Sequence, residues 1–204
     1  MTTKWQDKIT EFCQKYNIPL VYLSDTLHEP KVVPMIRGKA FEFSTLIELQ
    51  RILPTKDWLV EKVPMNAQIG FHDIDVKVTH KQTGKVIRVE CKLAKKGGFR
   101  LFADGHSEIR VKCMRSRTLG PSKVAELSPK LGVDKKSLSI HNDQYLPADF
   151  DVVVTSIGNA FYRTDPETGM FEWEPTEDAI KFLARKNVPK DAKLKDFAFS
   201  KIFI

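Results

Sequence analysis

The sequence lacks any apolar run long enough to cross a membrane, and its first residues carry no signal-peptide hydrophobic segment. Cysteine is scarce, because Cys13, Cys91 and Cys113 are odd in number and share no metal-binding or disulfide spacing. These absences argue against a membrane protein and against a small disulfide-stabilised secreted one. We therefore expect a protein of the reducing cytoplasm, with no membrane partner.

Several catalytic signatures are also missing. The chain has no glycine-rich phosphate loop and no nucleophile-elbow sequence, and its five histidines show no metal-ligand spacing such as His-Glu-x-x-His. It has no internal repeat, no low-complexity segment and no linker. The 204 residues fit a single domain, 1–204, and alternating strand and helix signals predict an α/β fold with a sheet flanked by helices.

Positive charge is concentrated in one part of the chain. Between Lys77 and Arg117 there are twelve lysines and arginines against three acidic residues, a charge of +9, so the rest of the chain carries −2 of the net +7. Such a concentration is typical of a surface that binds a polyanion, although a charge run can also be an ordinary solvated face.

Residues 70–92 predict a β-hairpin. Two runs of alternating polar and apolar residues flank a turn at Lys81-Gln82-Thr83-Gly84. If those four residues form the loop, His80 pairs with Lys85, and this pairing fixes the register of the two strands.

The same register brings acidic and basic side chains together. Counting back from the turn places Asp75 opposite Glu90 and Asp73 opposite Lys92, and residues two apart on a strand share a face. Two carboxylates and one ammonium on neighbouring strands can hold a hard divalent cation and orient a water beside it, as phosphodiester cleavage requires. The count favours Asp75 over Asp73 as the primary ligand, and either aspartate could instead cap the strand entrance.

Glu42 is the notable residue of a helix predicted over Arg37–Leu53, which Pro54 ends. At 100° per residue Glu42 falls within the main apolar arc, whose members are Phe43, Leu46, Ile47, Leu49 and Leu53. An inward carboxylate is costly unless a cation or hydrogen bonds satisfy it. The alternatives are a metal ligand, a pair with a buried lysine or arginine, or a helix rotated so that Glu42 reaches solvent.

Glu90 and Lys92 bracket Cys91 on the second strand of the hairpin. Cys91 falls on the apolar face and is expected in the core, whereas Glu90 and Lys92 share the other face. They form either an ordinary surface pair or the charged end of a central strand that opens into a cleft.

The remaining segments are assigned coarsely. We predict helices at 4–16 and 176–186, strands at 57–63, 99–102, 108–114 and 150–157, a short strand or an extended segment at 18–23, loops at 25–36 and 95–98, and a turn at 165–169. Residues 115–147 are interpreted as irregular, with a short helix near 123–127, and the apolar tail 197–204 is expected to pack. Ser128 to Ser139 faintly resembles the turn of a helix-turn-helix, but Pro129 fits poorly inside a first helix, and an ordinary loop is the favoured interpretation.

Taken together, Glu42 on a helix, Asp75 on one strand and Glu90-x-Lys92 on the next resemble the PD-(D/E)XK nuclease superfamily, particularly restriction endonucleases. The Gly38-x-x-x-Glu42 opening of the helix also looks like members of that group. The resemblance covers roughly residues 37–95, and the sequence departs from it in having no proline before Asp75.

The resemblance implies a restriction-endonuclease-like core of mixed β-sheet with helices on both sides. It implies Asp75 and Glu90 as Mg²⁺ ligands, Glu42 holding a metal-bound water or a second metal, and Lys92 positioning or helping to deprotonate the attacking water. Basic residues beyond the site would clamp phosphates; they are Lys95, Lys96 and Arg100.

The expected function is that of a Mg²⁺-dependent type II restriction enzyme that cuts double-stranded DNA as a homodimer, with base-reading residues in 97–145. The alternatives are a structure-selective repair nuclease such as a junction resolvase, and a non-catalytic nucleic-acid-binding protein on the same fold. The dimer follows from the resemblance alone.

Overall fold

A computed structural model describes residues 4–63, 74–114, 118–145 and 149–185. The helices are α1 Trp5–Lys15, α2 Leu20–His28, α3 Val32–Ile52, α4 Pro121–Leu131, α5 Lys135–Ile140 and α6 Glu177–Arg185. The strands are β1 Trp58–Glu61, β2 Val76–His80, β3 Val86–Leu101, β4 Ser107–Val111, β5 Val152–Ser156, β6 Tyr162–Thr164 and β7 Phe171–Trp173, and a 3₁₀ helix covers Ile157–Phe161. None of the helices in these ranges is long and apolar enough to cross a membrane.

The central sheet is mixed and is built around the long strand β3. Strands β1, β2, β3 and β4 pair in that order, each antiparallel to the next, and β5 pairs with β3 in parallel. Strands β6 and β7 form a separate hairpin. The predicted α/β class, with a mixed central sheet flanked by helices, is therefore confirmed.

Two apolar clusters hold the helices on the sheet. One joins α3 to β1, β2 and the first half of β3 through buried Phe41, Val60, Val76, Val78, Val89 and Cys91. The other joins α6 and the 3₁₀ helix to the second half of β3 through Ala94, Phe99, Ala160, Phe161, Ala179 and Leu183. The core position predicted for Cys91 is confirmed.

The N-terminal assignments are partly wrong. The helix predicted at 4–16 is present as α1, but the extended segment at 18–23 lies mostly in helix α2, which begins directly after Pro19. Helix α3 begins at Val32, within the segment 25–36 that was predicted to be a loop. Pro34 lies in the first turn of α3, where a proline costs no intrahelical hydrogen bond, so it does not prevent the helix. The prediction that Phe43 and Ile47 face inward is also wrong, since these side chains are 51% and 60% exposed.

The basic loop predicted at 95–98 is a bulge inside β3. Pairing with β4 shifts register between Ala94 and Phe99, and Gly97 has φ +63°. A Cβ atom on Gly98 would lie 2.6 Å from the Lys95 carbonyl oxygen, so the backbone closes on itself there. Gly97 and Gly98 permit this bulge, and β3 continues as one strand on both sides of it.

Residues 115–147 are more regular than expected. The predicted short helix near 123–127 extends to the eleven residues of α4, with Pro121 at its start and Pro129 inside it, and α5 follows. A proline costs one backbone hydrogen bond and did not prevent the helix. The strand predicted at 150–157 is present as β5, although its first residue, Val152, is 43% exposed.

The two assignments near the end of the described chain are confirmed. The turn at 165–169 is closed by a backbone hydrogen bond from Gly169 N–H to the Asp165 carbonyl, and α6 occupies the predicted helix. The tail 197–204 lies outside the described residues.

Candidate functional site

The β2–β3 hairpin has the register predicted from its turn. Val76 pairs with Val89, and His80 N–H donates to the Lys85 carbonyl at 2.9 Å. Asp75 immediately precedes β2, and this register places it opposite Glu90. The predicted register of the hairpin is therefore confirmed, and Asp75 lies one residue beyond the Val76–Val89 pair, on the side of Glu90.

Asp75 is fixed against the backbone of β3. Its Oδ2 accepts a hydrogen bond from Cys91 N–H at 2.8 Å. Burial, followed by the nearby charge of Glu90, raises the pKa of Asp75 to about 6, and Glu42 acts in the same direction. The hydrogen bond from Cys91 and the charge of Lys92 oppose this rise without cancelling it. Two carboxylates, Glu90 and Glu42, and one lysine, Lys92, thus act electrostatically on Asp75.

Glu42 faces inward from α3, as its position in the apolar arc predicted. It is 7% exposed, and its carboxylate accepts hydrogen bonds from Lys39 Nζ at 2.7 and 2.9 Å and from Lys62 Nζ. The alternative of a lysine-paired carboxylate therefore describes the observed contacts. The two lysines offset the cost of burying a charge in this position.

Glu90 is buried and forms an ion pair with half-buried Lys92. The Glu90 side chain is 4% exposed, and its Oε1 lies 2.7 Å from Lys92 Nζ. Lys92 Nζ also lies 4.9 Å from the centroid of the Tyr145 ring. The alternative of an ordinary surface pair is wrong, because β3 is a central strand covered at this point.

The described residues include no group of three or more histidine, cysteine, aspartate or glutamate side chains arranged to hold a metal ion. The carboxylates of Glu42 and Glu90 instead form ion pairs with lysine ammonium groups. These ammonium groups neutralise the carboxylates, as a metal cation would. Asp73, the alternative ligand, lies outside the described residues. The donor set itself is of the hard-oxygen type that Mg²⁺ prefers.

The three basic residues predicted to contact phosphates differ in their surroundings. Lys95 and Arg100 are exposed. Lys96 Nζ lies 3.4 Å from the centroid of the Phe171 ring and donates to Thr164 Oγ1 at 2.5 Å. Lys96 is therefore engaged with the β6–β7 hairpin, whereas the other two point into solvent.

Arg37 lies near Lys96, a proximity that the sequence did not reveal. Its Nη2 donates to Oδ1 of buried Asn159 at 2.7 Å, and its guanidinium lies 4.1 Å from the centroid of the Tyr162 ring. Burial and the nearby Arg37 charge lower the pKa of Lys96. Arg37 and Asn159 are 122 positions apart, and no local pattern could have joined them.

Tyr145 is the second residue that sequence reasoning missed. Its N–H donates to the Cys113 carbonyl at 3.1 Å, and Met114 pairs with Gln144 in an antiparallel bridge. The chain that leaves the sheet after β4 therefore returns beside Lys92. Helices α4 and α5 lie between Met114 and Gln144, and the Ser128–Ser139 pattern was the sequence signal for them.

Comparison with known proteins identifies no relative. No family model matches the chain, and neither a curated protein nor a solved structure matches it.

Proposed function

We propose that this protein is a Mg²⁺-dependent endonuclease of the PD-(D/E)XK type that hydrolyses phosphodiester bonds in double-stranded DNA. The observation that carries the proposal is the convergence on Asp75. Glu90 lies opposite it, Glu42 approaches from α3, and Lys92 follows on the same strand as Glu90. The helix and the two strands that carry these residues follow the order expected for the motif, which supports the proposal.

The residues have separate roles in this proposal. Asp75 and Glu90 would hold the metal ion, and Glu42 would hold a metal-bound water or a second ion. A bound Mg²⁺ ion lowers the pKa of water and neutralises phosphate charge. Lys92 would then orient the attacking water and donate to the oxygens on which negative charge grows.

Metal binding would replace contacts that lysines now make. Lys39 and Lys62 neutralise Glu42, and Lys92 neutralises Glu90. A divalent cation supplies the same compensation with more charge, so the carboxylates would exchange one cation for another. Release of Lys92 from Glu90 would free its ammonium group for the substrate.

The DNA duplex is proposed as the substrate because positive charge is concentrated in the segment of the chain that carries Glu90 and Lys92. The segment 77–117 carries +9, and exposed Lys95 and Arg100 lie on β3 beyond Lys92. Backbone contacts of this kind set affinity and register on the duplex. A sequence-specific type II restriction enzyme is the form of the proposal that we favour.

A second function has one observation in its favour. The lysine-paired carboxylates and the lack of a ready three-ligand group among residues 4–63, 74–114, 118–145 and 149–185 suit a non-catalytic DNA-binding protein. Such a protein would keep the charge distribution and the fold but would not cut DNA. The two functions predict different results when Mg²⁺ is added: the nuclease cuts DNA, whereas the non-catalytic protein only binds it.

We propose a homodimer as the active form. Helices α1, α2 and α3 expose large apolar side chains, which are Trp5, Phe12, Tyr16, Leu20, Val21, Tyr22, Leu27, Met35, Ile36, Phe43, Ile47 and Ile52. Since an aromatic side chain can bury about 150–250 Å², half-exposed side chains in this number approach the roughly 800 Å² that one partner of a standard interface buries. Sedimentation equilibrium would test the dimer.

We also propose a cytoplasmic location. All three cysteines are free thiols in the structure, and two of them are buried. Free thiols persist in a reducing compartment.

The function is tested by digesting plasmid and phage DNA in Mg²⁺ and in EDTA. The variants are Lys92→Met and Asp75→Asn, and the matched control is Lys85→Met, which removes an exposed lysine from the turn of the same hairpin. Discrete Mg²⁺-dependent fragments, lost in the first two variants and kept in the control, are expected.

Other outcomes separate the alternatives. Cleavage of branched but not linear DNA would identify a structure-selective repair nuclease. Binding without cleavage of any duplex or branched DNA in Mg²⁺ would identify the non-catalytic protein. Equal cleavage by Lys92→Met and wild type would contradict the proposed site.

A further inference from the structure

Helices α4 and α5 form a compact pair joined by a three-residue turn. Gly132 ends α4 with φ +65°, a left-handed conformation that favours glycine. Asp134 begins α5, since its side chain accepts a hydrogen bond from Ser137 N–H at 2.9 Å. Two helices joined by a short turn containing glycine are the elements of a helix-turn-helix.

The pair packs through its own interior. Val124 and Ser128 of α4 are 4% and 8% exposed, and Leu138 of α5 is 2% exposed. Ser128 Oγ donates to the Val133 carbonyl in the turn at 2.6 Å. The turn and the inner face of α5 are therefore fixed relative to α4, so α5 presents one defined outer face.

The pair is attached beside the candidate catalytic lysine. Leu119 N–H donates to the Asn142 carbonyl at 3.0 Å, and Tyr145 N–H donates to the Cys113 carbonyl at 3.1 Å, so both ends of the excursion are joined. The Tyr145 ring then lies against Lys92. A duplex bound at the carboxylates would thus pass close to α4 and α5.

The outer face of α5 carries side chains without a structural task in the described chain. Leu138 points inward, and at 100° per residue Lys136 and Ile140 fall on the opposite side, flanked by Ser139. Ile140 is 65% exposed, which is unusual for so large an apolar side chain. Lysine, serine and an aliphatic group are side chains that can contact base edges in the major groove.

The charges of the pair are divided between its two helices. On α4, Glu126 binds both Lys123 and Lys130, at 2.6 and 2.9 Å. On α5, Lys135 and Lys136 are exposed, and within the described part of the chain neither forms an ion pair. The uncompensated positive charge therefore lies on the helix whose outer face is unoccupied, which suits a polyanion.

We propose that α4 and α5 are a helix-turn-helix in which α5 enters the major groove of duplex DNA and reads its sequence. This inference rests on the proposed nuclease function and assigns its recognition element. The six residues of α5 span about 9 Å, less than the roughly 12 Å width of the groove. Lys136 would donate to guanine O6 and N7, Ile140 would contact a thymine methyl group, and Lys135 would contact a phosphate.

The test is selection of bound duplexes from a library with a randomised centre, in EDTA so that cleavage does not intervene. The proteins are wild type, Lys136→Ala, Ile140→Ala and the control Lys181→Ala, which removes an exposed lysine from α6. All three changes are at exposed side chains, and circular dichroism checks the fold.

Wild type and Lys181→Ala should select the same motif. Lys136→Ala should lose preference for guanine at one position by about tenfold, while its affinity for unselected DNA changes by less than about threefold. Replacing one thymine of the motif by uracil, which lacks the methyl group, should weaken wild type by about fourfold and leave Ile140→Ala unaffected.

Two results would overturn the inference and leave the nuclease proposal standing. One is an unchanged motif of unchanged strength in Lys136→Ala and Ile140→Ala. The other is a wild-type protein that cuts DNA in Mg²⁺ but selects no motif. A wild-type protein that neither cuts nor binds any DNA would overturn both proposals.

Discussion

The carboxylate site at the start of β3 and the outer face of α5 treat charge in opposite ways. At the site, Glu42 and Glu90 are buried, and each directs oxygens at lysines that neutralise it. On α5, Lys135 and Lys136 are exposed, and neither forms an ion pair with another residue that the structure describes. Burying the carboxylates carries a desolvation penalty, and their ion pairs fix them in place. Exposed lysines carry little such penalty and can attract an anionic partner.

This difference separates chemistry from recognition within one chain. Changes at the buried carboxylates should alter both the stability of the fold and the rate of cleavage, because those groups interact strongly with their surroundings. Changes on α5 should alter which DNA is bound and leave the fold as it is. Asp75 is the most informative point of the first region, because burial and the charge of Glu90 raise its pKa.

The largest expected effect is that of Asp75→Asn, which should act in opposite directions on activity and stability. Cleavage should fall at least about a hundredfold, since a ligand and its charge are lost. The free energy of unfolding should rise by about 3 kcal/mol above about pH 7. The reason is that burial and Glu90 raise the pKa of Asp75 to about 6, so ionised Asp75 is destabilising in the fold.

The sign follows from proton uptake. Between the unfolded pKa of 3.8 and the folded pKa of about 6 the folded state binds the extra proton, so wild-type stability falls as pH rises through this window. The advantage of Asp75→Asn should therefore vanish below about pH 4. Urea unfolding across this range is the measurement, and an advantage that is independent of pH would contradict the account. Added Mg²⁺ should stabilise wild type more than the variant.

A smaller effect distinguishes the two lysines that neutralise Glu42. Lys62 is 26% exposed and Lys39 is 52% exposed. Lys62→Met should lower the free energy of unfolding by about 1–2 kcal/mol, and Lys39→Met by less than about 1 kcal/mol, because solvent screens the more exposed pair. Chemical denaturation of the two variants gives the comparison. Equal losses would show that burial does not decide the strength of these pairs.

The smallest effect concerns the salt dependence of DNA binding. Lys95→Gln should reduce the slope of log affinity against log salt by about 0.9, the value for one phosphate contact. Lys96→Gln should change the slope less, because its ammonium group already contacts Phe171 and Thr164. Fluorescence anisotropy with one duplex at several salt concentrations measures both, with Lys181→Gln as the control. A larger change for Lys96 would reverse the assignment.

The hairpin could be predicted because its information is local. Alternation of polar and apolar residues defines two strands, a four-residue turn sets their register, and Asp75 then falls opposite Glu90. The apolar arc of α3 includes Glu42, but it also includes exposed Phe43 and Ile47, so the sequence left the inward position of Glu42 as one of three alternatives. The lysines that neutralise Glu42 could not be identified, since Lys62 reaches it from another part of the chain.

The errors have the complementary cause. Leu20, Val21 and Tyr22 have strand propensity, yet they lie in α2, since Pro19 begins a helix there. Phe43 and Ile47 are apolar, but α3 presents Phe41 and Thr45 to the sheet instead, and periodicity alone does not fix how a broad apolar arc is rotated.

Helix α4 was within reach of the sequence. Pro121 at its first position and Gly132 just after its end are the usual signals of a helix. Pro129 inside the helix opposes these signals, and the rest of the helix tolerates its cost.

The most direct test of the account measures cleavage and binding of one duplex in parallel for wild type, Lys92→Met and Lys136→Ala. The account predicts that Lys92→Met binds the duplex in EDTA within about threefold of wild type but fails to cut it in Mg²⁺. Lys136→Ala should retain cleavage of DNA while losing selectivity. Mg²⁺-dependent cleavage by Lys92→Met at the wild-type rate would contradict the central claim that Lys92 and its neighbouring carboxylates form the catalytic site.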